Sequence, residues 1–455
     1  MEENNQSFRD RPTNVDDTGK SKKILAKQPK GKWYNRRTWF AWFCILFLIL
    51  APIIKINGNP LMLFDIANRK FSIFGNLVWA QDTFILALIM LIVVVFIVLF
   101  TVIFGRLWCG WACPQTIFLE MIFRRIEFLF EGNRRKKSNK EKDDFTKKIL
   151  LILKHISFII ISIFFTNVFL MWFTGPEKLI EIITSPVQEN KLGFLFMLAV
   201  SMFYYIVYAF LREQICIFFC PYGRLQGVLL DSKSISVIYD YKRGEPRGTK
   251  NEGDCIDCGQ CIAVCPTGID IKNGSQFECI NCTACIDECN TVMKKIKKPE
   301  NLIRFDSVNG IETGKSSIAN FRTYAYSAVL IVLIIVFGIT VSKRSSVDVS
   351  VIRMQGTMYQ QTDSLHITNI YNVKIINKTN HQKKIALKLI DLQEGELQFT
   401  NDISTLAADK KSETVLLIKI PISSIKSRTT DLKIGTYENN KLITVNKINF
   451  IGPQK

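Results

Sequence analysis

The stretch CIDCGQCIAVCP (residues 255–266), answered by CINCTACIDECN (residues 279–290), decides how the middle of this chain folds. Each run spaces its cysteines x2-x2-x3. A cubane iron–sulfur cluster needs one thiolate per corner. Three closely spaced cysteines wrap three corners, and the fourth of each run crosses to the neighbouring cluster. The spacing therefore predicts two [4Fe–4S] clusters, one on Cys255, Cys258, Cys261 and Cys289, the other on Cys279, Cys282, Cys285 and Cys265. Paired zinc sites share the Cys-x2-Cys element, but zinc rarely needs two tandem runs of this form. The second run ends in Cys-Asn where the first ends in Cys-Pro. The ligand is kept, and the change is expected in the turn that follows it.

Outward from this module the chain of 455 residues is 48% apolar, with the apolar residues gathered in blocks. Trp39–Ile56, Thr83–Phe104, Ile149–Phe173, Gly193–Leu211 and Thr323–Val341 each approach the ~20 residues that cross a bilayer core. About five transmembrane helices are expected. The third carries Lys154, expected to snorkel from near its start. No signal peptide with a cleavage site precedes the first block.

Charge orients these spans. Arg9, Arg11, Lys20, Lys22, Lys23, Lys27, Lys30, Lys32, Arg36 and Arg37 precede the first. Arg124, Arg125, Arg134, Arg135, Lys136 and Lys137 lie between the second and third. The alternate loops hold only Arg69 and Lys70, or Lys178 and Lys191. The positive-inside rule then predicts a cytoplasmic N-terminus and ferredoxin module, and an odd number of spans sends the C-terminal domain to the far side, which is the periplasm if this is a Gram-negative bacterium and the membrane its inner one. The formal charge of +19 is accounted for by these juxtamembrane loops and anionic lipid, not nucleic acid. All 13 cysteines precede Thr323, so no disulfide is available on the oxidising side.

The predicted fold is multidomain α+β: a basic tail (1–38), a polytopic α-helical membrane domain (39–230), a linker (231–249), a ferredoxin domain (250–295), a second linker (296–322), a last span (323–342) and a β-domain (343–455). In the β-domain, alternation over Val347–Ile352, Ile367–Ile376, Lys384–Leu389 and Thr414–Ile418, with turn signals at Asn377–Asn380 and Ala407–Lys410, predicts a sandwich.

The membrane domain reads as a diverged repeat. Arg106-Leu-Trp-Cys109-Gly-Trp-Ala-Cys113-Pro114 and Arg212-Glu-Gln-Ile-Cys216-Ile-Phe-Phe-Cys220-Pro221 each follow a helical pair, at matching depth. Related halves with matching motifs suggest one site built from both. Helical spacing places the two sulfurs of each pair on one face, with the proline stopping the helix. Soft thiolates at Cys109, Cys113, Cys216 and Cys220 favour Cu(I) over Cu(II). The same set suits iron, zinc or dithiol cycling, and the ordinary alternative is four buried thiols. Ile117–Phe130 is amphipathic and expected along the inner surface.

Together these motifs, with Gly105-Arg-x-x-Cys109-Gly-Trp, Cys220-Pro-Tyr-Gly-Arg224 and Ile370-Tyr-Asn-Val-Lys-Ile-Ile-Asn-Lys-Thr379, resemble the CcoG family of cytochrome oxidase accessory proteins, also called FixG or RdxA. The resemblance runs from about Lys32 to the C-terminus. Single motifs are shared with NapH-type ferredoxins; the combination with a C-terminal β-domain is specific. It implies an Ig-like fold for that domain and reduction of Cu(II) to Cu(I) during assembly of a cbb3-type oxidase. The family's membrane cysteines fall on Cys109, Cys113, Cys216 and Cys220, and its cluster ligands on the eight ferredoxin cysteines.

Other residues read plainly. Cys44 is a packing thiol. Met354, Met358 and His366 offer outer-side copper ligands, with packing or exposure favoured. His155 is an interfacial residue. Arg106, Arg212 and Glu213 sit beside the thiol motifs and either anchor at the interface or, through the positive charge of the arginines, lower the thiol pKa. The leading function is a membrane-bound cupric reductase. Alternatives are a quinol-linked NapH-like electron-transfer subunit and a non-enzymatic oxidase assembly scaffold. Expected partners are copper, a cytoplasmic or quinol electron donor, oxidase assembly or copper-transport proteins and lipid, with a homodimer left open.

Overall fold

The computed structural model describes residues 24–453, except 25, 68–69, 80–81, 133–143, 249–252, 275, 317, 344, 346, 364, 380, 393–394, 402–404, 408–410, 426 and 439–440. Arg9, Arg11, Lys20, Lys22, Lys23, Arg69, Arg134, Arg135, Lys136, Lys137, Asn380 and Ala408–Lys410, which entered the charge and turn readings, lie outside the described residues. The chain divides into two compact units, residues 1–53 with 87–335, and 54–86 with 336–455.

Five long helices follow the apolar blocks: α1 (Lys32–Leu50), α2 (Thr83–Phe104), α3 (Asp144–Thr174), α4 (Lys191–Ile206) and α5 (Phe321–Ser342). Four of the described helices are long and apolar enough to cross a membrane: Phe84–Phe104, Phe145–Thr174, Lys191–Leu211 and Phe321–Ser342. α1 falls short because Lys32, Arg36 and Arg37 occupy its first two turns, although Trp39, Phe43 and Leu46 expose large apolar surface further along.

The first unit's helical core joins Ala41 and Ile45 of α1 to Phe158 and Phe165 of α3 and to Val207 and Tyr208. Phe123 stacks on Tyr208 at 4.6 Å and meets Phe158 edge-on. Residues Ile117–Phe130, expected along the membrane surface, enter this core instead: Ile117, Phe118, Leu119, Met121 and Phe123 are buried. Lys154 does not snorkel. It is buried and bonded to Glu131 at 2.6 Å, because a cation held ten residues inside α3 needs a carboxylate partner. His155 meets the Tyr205 hydroxyl at 3.0 Å. Cys44 packs against the same core.

The second unit contains two antiparallel sheets. One orders Glu396–Phe399, Lys411–Pro421, His366–Asn377 and Val347–Arg353, with Gln360–Asp363 also on His366–Asn377. The other orders Thr405–Leu406, Lys383–Leu389, Thr429–Glu438 and Lys441–Ile451. Alternate residues point inward, as the period of two requires. Val349, Tyr371, Ile375, Leu416, Ile434 and Phe450 fill the space between the sheets. The Tyr371 hydroxyl donates to Asn449 O at 2.9 Å, tying one sheet to the other. Residues 55–79 add a hairpin and a three-stranded meander that the hydropathy reading passed over as a loop. Asn57-Gly58, both at positive φ, make the hairpin's two-residue turn. Within this unit Lys378 pairs with Asp82 at 2.6 Å.

Candidate functional site

The ferredoxin module is larger than its cysteine runs. Ser236–Tyr239 pairs antiparallel with Ile303–Asp306, so both stretches expected as linkers contribute a strand. Val237, Tyr239 and Ile303 form a core with Ile269, Ile271, Ile286 and Met293, and six of the cysteines pack against it. The two runs wrap alike. Asp257 and Gly259 bracket Cys258 at φ 53° and 64°; Asn281 and Thr283 bracket Cys282 at 53° and 66°. These left-handed residues turn the chain around each middle cysteine.

A cavity lies inside the second wrap, lined by Cys265, Cys279, Cys282 and Cys285 together with Cys261. Four of these are the crossed ligand set read from the spacing. The complementary set is also gathered: the charges that act on Cys289 are foremost those of Cys261, Cys255 and Cys258. The cavity, the donor chemistry and the crossed grouping fit two cubane clusters. Burial pushes the Cys261, Cys279 and Cys289 thiols up to about 12 and Cys282 to about 11. The free thiols are therefore protonated, and binding metal must displace those protons. Cys258 is exposed and Cys282 buried, so the sets are called outer (Cys255, Cys258, Cys261, Cys289) and inner (Cys265, Cys279, Cys282, Cys285).

Cys-Asn has a structural reason, and it is not an altered turn. The first run's helix stops at Val264, before Cys265-Pro266, whereas the second continues from Ala284 to Lys295 through Cys289 and Asn290. A proline at 290 would sit inside that helix, at a cost of about 3 kcal/mol or more. Asn290 instead accepts from Asn301 N at 2.8 Å. Asp287, in the same turn, accepts from Trp33 N at 3.1 Å and Tyr34 N at 2.7 Å. It thus caps α1 from across the chain, a contact worth about 1 kcal/mol for an N-cap side chain. Gly31 leaves room for it, since a Cβ there would overlap Asp287.

The two Cys-x3-Cys-Pro motifs repeat in three dimensions. Leu107–Trp111 is helical, Cys113 is extended, and Pro114 opens the helix Pro114–Phe118. Ile215–Phe219 is a π-helical turn, Cys220 is extended, and Pro221 opens Pro221–Leu229. Cys113 N donates to Trp108 O at 2.9 Å and Cys220 N to Ile215 O at 2.8 Å, five residues back in both. Gly105 and Arg212, each four residues before the first cysteine, share a positive φ of 57° and 47°. The expectation of one helical face per pair is thus corrected: the second cysteine caps the next helix. Each proline starts a helix rather than ending one, its fixed φ suiting the first helical position.

The four thiols of the two halves lie within electrostatic reach of one another. The charges acting on Cys216 include those of Cys113, Cys109 and Cys220, and those acting on Cys109 include Cys113 and Cys220. Among the described residues, however, no three His, Cys, Asp or Glu side chains converge on a single ion's coordination sphere. That holds for the ferredoxin cysteines as well. Met358, read as a possible outer-side ligand, is exposed. Gln226, which sequence reasoning missed, is fully buried, accepts from Cys109 Sγ at 2.9 Å and donates to Thr101 at 3.4 Å. It reaches from the second half into the first.

Arg106 and Arg212 are not interfacial anchors. Arg212 is buried against Glu127 at 2.6 Å, and Glu213 is shared between Arg212 and Arg124. Arg106 is buried and donates to the carbonyls of Phe277 and Gly223. Nor does Arg106 make a ready thiolate: burial outweighs its attraction and pushes Cys109 up to about 12.

The first motif lies directly on the inner cysteine wrap. Cys109 packs with Val264, Ile280, Cys282 and Ala284. A Cβ on Gly110 would overlap the Ile280 carbonyl oxygen, so glycine permits this approach. Trp111 Nε1 donates to Asn281 O at 3.3 Å, and Arg37 Nε to Gly110 O at 2.7 Å.

Comparison with known proteins agrees with this arrangement. The family model described as "4Fe-4S dicluster domain" matches residues 211–252 and 245–308, and "4Fe-4S binding domain" matches 86–137. "IG-like fold at C-terminal of FixG" matches residues 337–453. RdxB of Cereibacter sphaeroides is 28% identical over 421 residues, 87% of this chain and 88% of that protein. RdxA of the same organism is 29% identical over 384 residues, 80% and 81% of the two chains. The nitrogen fixation protein FixG of Rhizobium meliloti is 26% identical over 473 residues, 91% and 89%. The chain belongs to the FixG/RdxA family. Its central segment is that of an iron–sulfur electron-transfer protein, and its C-terminal sandwich is the FixG Ig-like domain. With four helices suited to crossing a bilayer, this FixG/RdxA protein is an integral membrane protein.

Proposed function

We propose that this protein reduces Cu(II) to Cu(I) on Cys109, Cys113, Cys216 and Cys220, supplying copper for assembly of a cbb3-type cytochrome oxidase. The observation that carries the reading is that four thiols from two repeated motifs lie within electrostatic reach of one another, and one of the motifs packs onto the inner cysteine wrap. Two [4Fe–4S] clusters on the outer and inner sets supply single electrons when bound. The exposed Cys258 marks the side where a donor reaches the protein, and Cys109 the side where copper is met. Each Cu(II) takes one electron, and the soft thiolates favour the Cu(I) formed. Gln226 holds Cys109 toward the second half. Because burial raises the Cys109, Cys113 and Cys216 thiols and holds them protonated, copper capture releases protons here.

A second reading rests on a specific observation. The model for 4Fe–4S binding covers residues 86–137, which contain only Cys109 and Cys113. The four membrane thiols would then hold a third cluster, in keeping with a quinol-linked subunit. Metal analysis of anaerobically purified protein separates the two. The copper reading expects about eight irons per chain and copper bound on exposure to the ion. About twelve irons, with no copper taken up, would replace it.

The same reading places the ferredoxin module in the cytoplasm and the Ig-like domain in the periplasm. Support comes from basic residues on alternate loops and from α1 as a fifth span, its exposed Trp39, Phe43 and Leu46 facing lipid. An odd number of spans is needed for the ends to differ. Reporter fusions after Lys343 should be active only on the periplasmic side; a cytoplasmic signal would reduce the count to four.

A further inference from the structure

Arg37 is a buried charge that copper reduction leaves unused. It lies in the second turn of α1 and is 2% exposed. Its Nε is satisfied by Gly110 O, but its Nη2 is buried without a hydrogen-bond partner among the described residues. A guanidinium held away from water is costly unless a counter-charge faces it. Among the described residues no carboxylate is ion-paired with it.

What lies beside it is the inner set. The position of a Cβ on Gly110 is 3.1 Å from Cys282 Cα, and Arg37 exerts the leading attraction on the buried Cys282 thiol. Arg106 is a second such cation. Among the described residues it too is buried without a carboxylate partner, with its Nε unsatisfied, and its charge reaches both Cys109 and Cys279. The outer set differs. Arg243 reaches Cys289, but Arg243 is bonded to Asp254 at 2.7 Å and is partly exposed, so its charge is offset and screened. Lys272, which reaches Cys261, is likewise paired with Asp257 and Asp270, as Glu120, which reaches Cys282, is with Arg124. Among the described residues the inner set therefore has two cations without an ion-pair partner in reach, and the cations that reach the outer set are paired.

Four thiolates around a cluster carry net negative charge, and reduction adds to it. A fixed buried cation stabilises the reduced form more than the oxidised form and raises the potential. We propose that Arg37, together with Arg106, is a positioning residue that raises the reduction potential of the inner cluster above that of the outer one, so that an electron comes to rest beside the Cys109 motif. The assignment rests on the two-cluster reading above.

The test is a redox titration of the purified full-length protein followed by electron paramagnetic resonance, with iron measured on the same samples. Cys289→Ser, which lacks an outer ligand, assigns the signals. In Arg37→Gln the inner cluster's reduced-to-oxidised ratio at a fixed poise should fall about tenfold, a shift of about 59 mV for one electron. The outer cluster should stay where it was. Arg37→Lys, which keeps the charge, should stay near the parent protein, and Arg106→Gln should move the inner cluster in the same direction as Arg37→Gln. Full iron with unmoved potentials in both glutamine variants would overturn the assignment. So would an equal shift in Arg37→Lys, or loss of the inner cluster's iron in Arg37→Gln, which would make the residue structural. A parent protein lacking about eight irons would instead defeat the two-cluster reading.

Discussion

Cu(II) reduction is expected to vanish when Cys109 and Cys113 are together replaced by serine, while about eight irons per chain remain. The same loss is expected for Cys216→Ser with Cys220→Ser, because the four thiols come from both halves and act on one another. Serine keeps the size of each side chain and removes the soft ligand, so the copper site fails without a cavity being opened. Only Cys109 packs with the inner wrap, so some weakening of the inner cluster in the first pair alone is compatible with the account. Retained reduction in either double variant would reject a shared site. Loss of the ferredoxin iron in both would make the thiols structural.

The second large effect concerns crossed ligation. Cys289→Ser should lower iron from about eight to about four per chain and remove the outer cluster, although Cys289 lies closer in sequence to Cys279, Cys282 and Cys285. Cys265→Ser should do the reverse, since Cys265 lines the inner cavity. The two variants should therefore leave different signals behind. Identical residual signals, or loss of the inner cluster in Cys289→Ser, would show that each run holds its own cluster.

Much of this molecule is legible in its sequence because the relevant signals are local. Thiolate spacing encodes which corners a chain can wrap, and the crossed sets follow from it. Period-two alternation located Val347–Ile352, Ile367–Ile376 and Lys384–Leu389 within strands observed at Val347–Arg353, His366–Asn377 and Lys383–Leu389. The repeat of Cys-x3-Cys-Pro was visible, but its geometry was not. Helical spacing suggested a continuous face, whereas a proline three residues past Trp111 starts a new helix and leaves Cys113 extended.

What escaped the sequence depends on partners far away in it. Asp287 caps α1 from 254 residues on, Lys154 finds Glu131, and Gln226 finds Cys109. None of these residues sits in a pattern that names its partner. Gly110 looked like one more glycine beside a cysteine; its reason is the Ile280 carbonyl pressed against it. Asn290 looked like a lapse from consensus until the helix was seen to run on through it. The hairpin at 55–60 did leave a signal, Asn57-Gly58, but it lay in a short loop between spans where no strands were sought.

The account's central claim is that electrons held by the ferredoxin cysteines reach copper at the membrane thiols. Its most direct test is anaerobic: reduce the purified protein, remove the excess reductant, and add Cu(II) with a Cu(I)-specific chelator while following cluster absorbance. The account predicts about two Cu(I) per chain, one for each cubane, formed in step with cluster reoxidation. No Cu(I), or Cu(I) appearing while the clusters stay reduced, would contradict it.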